Sequence, residues 1–240
     1  MRGSLHTRDG DVSTSGPDNR GSVLSGDVGE QVLVKPALRG WLHAVGGVVL
    51  LGCAPILVVR AHTWSQVGWA LFYVGGVDVM MLTSAVFHRV HWSPSRRRAW
   101  RRADHSAIFL AIAGTYLAVA GLTMHGTIRT VFLILIGSGT VVGIAIRQLA
   151  LDAPKWVNTL PYLVVGWAAV AVLPQIYRGG GATCFYLVVA GGLAYSLGAV
   201  AYGAKWPRLW PRVFGYHELF HALTLVGAGL HFAAVVAAMR

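Results

Sequence analysis

From Val32 to Arg240 the chain carries only four acidic residues, Asp78, Asp104, Asp152 and Glu218. They are scattered among apolar runs of about 20 residues, the length an α-helix needs to cross the hydrocarbon core of a bilayer. A soluble domain carries roughly 25% charged residues; this chain carries 12%, with 55% hydrophobic. So few charges cannot solvate so apolar a chain, and lipid is its expected solvent. The expected fold is an all-α membrane protein.

Seven candidate spans follow, roughly 40–60, 66–87, 104–124, 128–147, 157–177, 183–203 and 216–238. The short connections predict a bundle of antiparallel neighbours over 35–240. Residues 1–34 are rich in Gly, Ser and Asp without apolar periodicity and read as a disordered tail. Pro161 and Pro174 fall in the fifth span and are expected to kink it, and Gly137-Ser138-Gly139 and Gly191-Gly192 are expected to let helix backbones approach closely.

Lys and Arg counts give the orientation. The tail and the loops after spans two, four and six hold sixteen, six of them arginines between Arg89 and Arg102; the other side holds four, Arg60, Arg129, Arg178 and Arg240. The N-terminus is therefore expected in the cytoplasm and the chain in the cell membrane. Tryptophans such as Trp41, Trp64, Trp92 and Trp156 fall near span ends, as an interfacial belt would.

The net charge of +11 does not indicate nucleic-acid binding, because the basic residues lie in short stretches between apolar runs. The arginine-rich loop suits anionic lipid head groups. Cys53 and Cys184 lie in or beside apolar segments and offer neither a disulfide framework nor a cysteine zinc signature.

Chain parity brings four polar residues to one depth. His88 closes span two, Asp104 opens span three, and His217 and His221 open span seven. Ionisable groups at membrane depth are costly and usually functional. His217 and His221 are four apart, on one helix face, and two such imidazoles can hold one zinc ion. His88 supplies a third ligand, and Ser84 lies one turn before it on the same face. Three protein ligands leave a fourth position open, the catalytic rather than the structural pattern. Asp104 is then placed to orient a water at that position or accept its proton. Each residue also has a plainer role: an interfacial His can snorkel, Asp104 can cap span three, and Ser84 can bond back to a helix carbonyl.

At these residues the sequence resembles the bacterial hemolysin III proteins, which belong with the adiponectin and progestin receptor group and, more distantly, the alkaline ceramidases. The stretches that carry the resemblance are KPALRGWLH (35–43), SAVFH (84–88), RRADHSAIFLAIAGTY (101–116), GGLAYSLGAVAY (191–202) and FGYHELFH (214–221). The resemblance implies a seven-helix fold with a zinc site near the cytoplasmic face. It implies that His88, His217 and His221 are the metal ligands, that Asp104 holds the water and that Ser84 supports it. It also implies zinc-dependent hydrolysis of lipid amides such as ceramides as the activity of the wider group.

His217-Glu218-Leu219-Phe220-His221 also matches the H-E-x-x-H metalloprotease motif, with Glu218 as base. No Asp or Glu follows His221 to supply a further ligand, and Glu218 lies about 100° round the helix from His217. Asp78 is about 15 Å deeper than His88 and too far to share its ion. His43 starts span one on the site side and is within reach as an outer-layer residue; His125 and His231 belong toward the opposite face.

Two functions remain open on these residues. One is a membrane zinc hydrolase acting on an amide or ester carbonyl of a lipid between the helices. The other is a non-enzymatic protein, a receptor-like sensor or a cytolytic factor, in which zinc clamps helices two, three and seven. A channel or transporter is disfavoured because few ionisable residues line the spans.

Overall fold

The computed structural model describes residues 36–149, 155–207, 209–210 and 212–239, with backbone alone over 155–160. The expected tail, 1–34, lies outside the described residues. The helices are α1 (Trp41–Arg60), α2 (Trp64–Arg89), α3 (Pro94–Thr123), α4 (Gly126–Leu149), α5 (Lys155–Gly166), α6 (Leu173–Ala204) and α7 (Tyr216–Ala238), with a 3-10 turn at Ala168–Val172. Among the described residues no strand forms; an isolated bridge pairs Trp210 with Phe214.

Among the described residues, six helical runs are long and apolar enough to cross a membrane. Five are α1, α2, α3, α4 and α7; the sixth is a 44-residue stretch, Pro161–Ala204. About 20 residues suffice for one crossing, so this stretch has the length of two. It is broken twice. Pro161 lies within α5 and Pro174 in the first turn of α6, and the break falls between them at Trp167–Val172. Backbone groups freed there must find partners away from water. The Tyr116 hydroxyl of α3 supplies one of each kind: it donates to the Gly166 carbonyl (2.6 Å) and accepts from the Ala169 N–H (3.1 Å). The second break is Gly181, at φ 74° and ψ 176°, a conformation open to glycine and outside the helical region.

The third span starts earlier than expected. Helix α3 begins at Pro94, with Ser93 before it in extended geometry and Pro at the first position, where its missing N–H is no loss. The stretch expected as an arginine-rich loop is therefore mostly helix, and α3 is about 45 Å long. Asp104 sits in its third turn, so it does not cap the helix.

Helix α3 is central: it packs on α2, α4, α6 and α7. Its contact with α2 is set by two glycines facing each other. A Cβ on Gly76 would lie 2.4 Å from the Leu110 carbonyl oxygen, and one on Gly114 would lie 2.3 Å from that of Phe72. The backbones touch, the arrangement small residues permit between membrane helices. Of the glycines the sequence pointed to, Gly191 is packed closely against α7 and Gly139 lies near Val165, while Gly137 and Gly192 meet nothing among the described residues. At the α6–α7 seam the His231 ring packs on Gly191 and the Tyr195 ring on Gly227.

Gly114→Val is expected to force α2 and α3 apart, because its first obstacle is backbone and cannot swing aside. A loss of about 1–3 kcal/mol is expected for such overpacking, read as earlier unfolding of the purified protein in detergent.

Candidate metal centre

Helix α2 ends at Arg89, so His88 lies in its last turn and Ser84 one turn earlier. Helix α7 starts at Tyr216, so His217 and His221 lie in its first two turns. The antiparallel run of α2 and α7 brings these ends together. The Nε2 atoms of His88 and His217 are 3.2 Å apart. Ring centroids are 4.8 Å apart for His88 and His217, 5.3 Å for His88 and His221, and 4.6 Å for His217 and His221. One nitrogen from each ring falls within 4.8 Å of the other two.

Three imidazoles meeting this way form a donor set that could hold a metal ion. Two ligands about 2.05 Å from a tetrahedral zinc would be about 3.3 Å apart, close to the spacing of the first pair. Imidazole suits copper, iron and nickel as well as zinc, so the donor set admits a class of ions.

Asp104 and Ser84 form the adjoining polar pair. Ser84 is buried, and its hydroxyl hydrogen-bonds the Asp104 carboxylate. Since Ser84 is one turn from His88, this bond links α3 to the ligand-bearing end of α2. Arg147, buried near the end of α4, lies within electrostatic reach of the same carboxylate. His105 turns away: its Nδ1 is 3.9 Å from Asp104 and 2.6 Å from the Arg101 carbonyl oxygen.

Glu218, between the two α7 histidines, is 1% exposed and engaged on both oxygens. One accepts from the Gly215 N–H at 2.9 Å, closing the start of the helix, and the other pairs with the Arg39 guanidinium. A carboxylate held this way serves structure, and the H-E-x-x-H reading has no free base.

Helix α1 gives no ligand to the cluster but reaches it. His43 is 2% exposed and stacks face to face on His221, with centroids 3.9 Å apart and planes 5° from parallel. Gly40, at φ +82°, lies against His88; a Cβ there would sit 2.9 Å from the His88 Cβ. Tyr202 of α6 closes another flank, its ring centroid 5.3 Å from that of His217. Arg39, Gly40, Arg147 and Tyr202 were not singled out from the sequence. The one available signal was Arg147, a cation in the last turn of a mostly apolar helix.

The remaining polar residues lie elsewhere. Asp78 faces Gly47 of α1, and its Oδ1 has no hydrogen-bond partner among the described residues. His231 is buried with Nε2 3.1 Å from the Val188 carbonyl oxygen, and His125 is exposed beyond the opposite end of α3.

Gly40→Ala is expected to lower stability by about 1–2 kcal/mol, the cost of left-handed backbone for a residue with a Cβ. It also pushes on His88, so thermal unfolding in detergent should drop and metal uptake should weaken with it.

Comparison with known proteins places these features in a family. A model described as "Haemolysin-III related" matches residues 31–232. The chain is 27% identical to Hemolysin-3 of Bacillus cereus over 197 residues, 81% of this chain and 87% of that one. It is 25% identical to the Hemolysin-3 homolog of Bacillus subtilis over 200 residues, 81% and 89% of the two chains. It is 26% identical to the Heptahelical transmembrane protein ADIPOR2 of Oryza sativa subsp. japonica over 180 residues, 69% and 79% of the two.

Proposed function

The chain belongs to the haemolysin-III related family of multi-pass membrane proteins, and from that premise we propose that it is a zinc-dependent hydrolase acting on an amide or ester of a membrane lipid. The observation that carries this reading is the convergence of His88, His217 and His221 beside the hydrogen-bonded pair of Ser84 and Asp104.

Seven spans fit this reading. The 44-residue run divides at Gly181 into two lengths that each suit a bilayer, and one relative is named heptahelical. The excess of Lys and Arg on the site's side puts that end, and the N-terminus, in the cytoplasm.

His88, His217 and His221 would hold the ion. A bound zinc supplies Lewis acidity, polarising a carbonyl and lowering the pKa of water. Asp104 orients the attacking water and accepts its proton at a carboxylate oxygen. Ser84 fixes that carboxylate by donating to it, and Arg147 holds a positive charge behind it. Burial of the cluster among α1, α2, α6 and α7 restricts bulk water. The substrate's acyl part would approach from the lipid.

A second reading has one observation in its favour. Helices α2 and α7 approach each other at few places, so an ion shared by His88 and the α7 histidines would tie them as a structural clamp in a sensor or a lytic factor. The test is metal analysis of the purified chain followed by incubation with a panel of lipid amides and esters. About one zinc per chain with release of fatty acid supports the hydrolase. Zinc without turnover supports the clamp, and absence of zinc overturns both.

A further inference from the structure

The α1 end of the molecule contributes no metal ligand, yet it touches the support of every one. We propose that Arg39, Gly40 and His43 are positioning residues that set the affinity and geometry of the metal centre. The inference rests on the metal reading above and adds to it a source of its preorganisation.

The contacts are of three kinds. Arg39 pairs with Glu218, whose other oxygen holds the Gly215 N–H; this fixes the first turn of α7 and with it the backbone carrying His217 and His221. Gly40 fits under His88 with no room for a side chain, which sets the distance between the start of α1 and the end of α2. The His43 ring covers the face of His221 and limits its rotation. The segment is itself anchored. The Ala37 N–H donates to the Arg212 carbonyl (3.0 Å) and the Leu38 N–H to the Val213 carbonyl (3.4 Å), while the Arg89 guanidinium sits 4.3 Å over the Trp41 ring.

This arrangement does what outer-layer groups do at metal sites generally: it orients ligands before the ion arrives. Among the described residues neither His43 nitrogen has a hydrogen-bond partner, so the ring face is its working part. Phenylalanine should therefore replace it where alanine cannot. The Arg39–Glu218 pair should act as a unit, so losing one partner forfeits nearly all that losing both does.

The experiment uses the full chain in detergent, titrated with Zn2+ and, in parallel, with Co2+, whose visible absorption reports ligand geometry. Arg39→Ala and Glu218→Gln should each weaken zinc binding about 10–100-fold, and the double variant should be no weaker than the worse single by more than about 3-fold. His43→Ala should weaken it about 10-fold with an altered cobalt spectrum, while His43→Phe stays within about 3-fold of wild type. Arg39→Lys, which keeps the charge, guards against a folding defect, and the melting temperature of each apo variant is measured beside it. Wild-type zinc affinity and wild-type cobalt spectra in Arg39→Ala and His43→Ala overturn the proposal. So does a loss of affinity that only tracks a loss of apo stability. A wild-type chain that binds neither ion overturns the metal reading, and this proposal with it.

Discussion

Alanine at His88 or His217 should abolish stoichiometric zinc in the purified protein. The three imidazoles come from two helices, and their nitrogens lie within 4.8 Å of one another. Apparent binding free energies at protein zinc sites are about 10–16 kcal/mol, so one of four ligand positions accounts for roughly 2.5–4 kcal/mol. At about 1.4 kcal/mol per tenfold, removing one ligand should weaken binding by roughly 60–700-fold. That is enough to strip the ion during purification. Elemental analysis of wild type, His88→Ala, His217→Ala and, as a control, Ser84→Ala checks it: the first variants should fall to background and the control should stay near one ion per chain. Full retention in both histidine variants would mean that the ion sits elsewhere.

Asp104→Ala should leave the zinc in place and remove turnover. Asp104 is not in the three-histidine set, and its carboxylate is held by Ser84. A positioned acid or base contributes about 10²–10⁴-fold to rate, or roughly 3–5 kcal/mol of barrier. Fatty-acid release from the best lipid of the panel should drop by that factor at unchanged metal content. Asp104→Asn should behave alike, since it keeps the shape without the proton acceptor. Ser84→Ala should fall less, because the carboxylate remains and only its orientation loosens. If both Asp104 variants work at wild-type rate, the carboxylate has no part in the chemistry and the clamp reading gains.

Much of the fold was legible because lipid imposes a one-dimensional constraint. A span is a contiguous apolar run, so five of the helical runs appear close to where hydropathy puts them, and the sixth run covers the two expected between 157 and 203. Helix ends were less legible. The arginines after Ser93 looked like a loop because they interrupt the apolar pattern, but a helix can carry charge once it projects beyond the hydrocarbon, and α3 does so from Pro94. Close helix contact was legible in part: Gly191 packs closely against α7, but the tightest backbone approach between α2 and α3 was not foreseen. Glycine clusters mark where approach is permitted; Gly76 and Gly114, each unremarkable alone, show that approach happens where two glycines meet across a seam.

The sequence by itself determined that the chain lives in a membrane and that it is helical, and it pointed to Ser84, His88, Asp104, His217 and His221 as one group, although Asp104 stands in the third turn of α3 and not at its end. Those follow from apolar length, chain parity and i, i+4 spacing, all local along the chain. Only the tertiary structure decided that three imidazoles converge, that Glu218 is bound to Arg39 and Gly215, and that His43 covers His221. Such contacts join residues as far apart as Arg39 and Glu218. No local pattern encodes them, because they depend on the angle and depth at which helices pack, and that is set by side-chain shape across the seams.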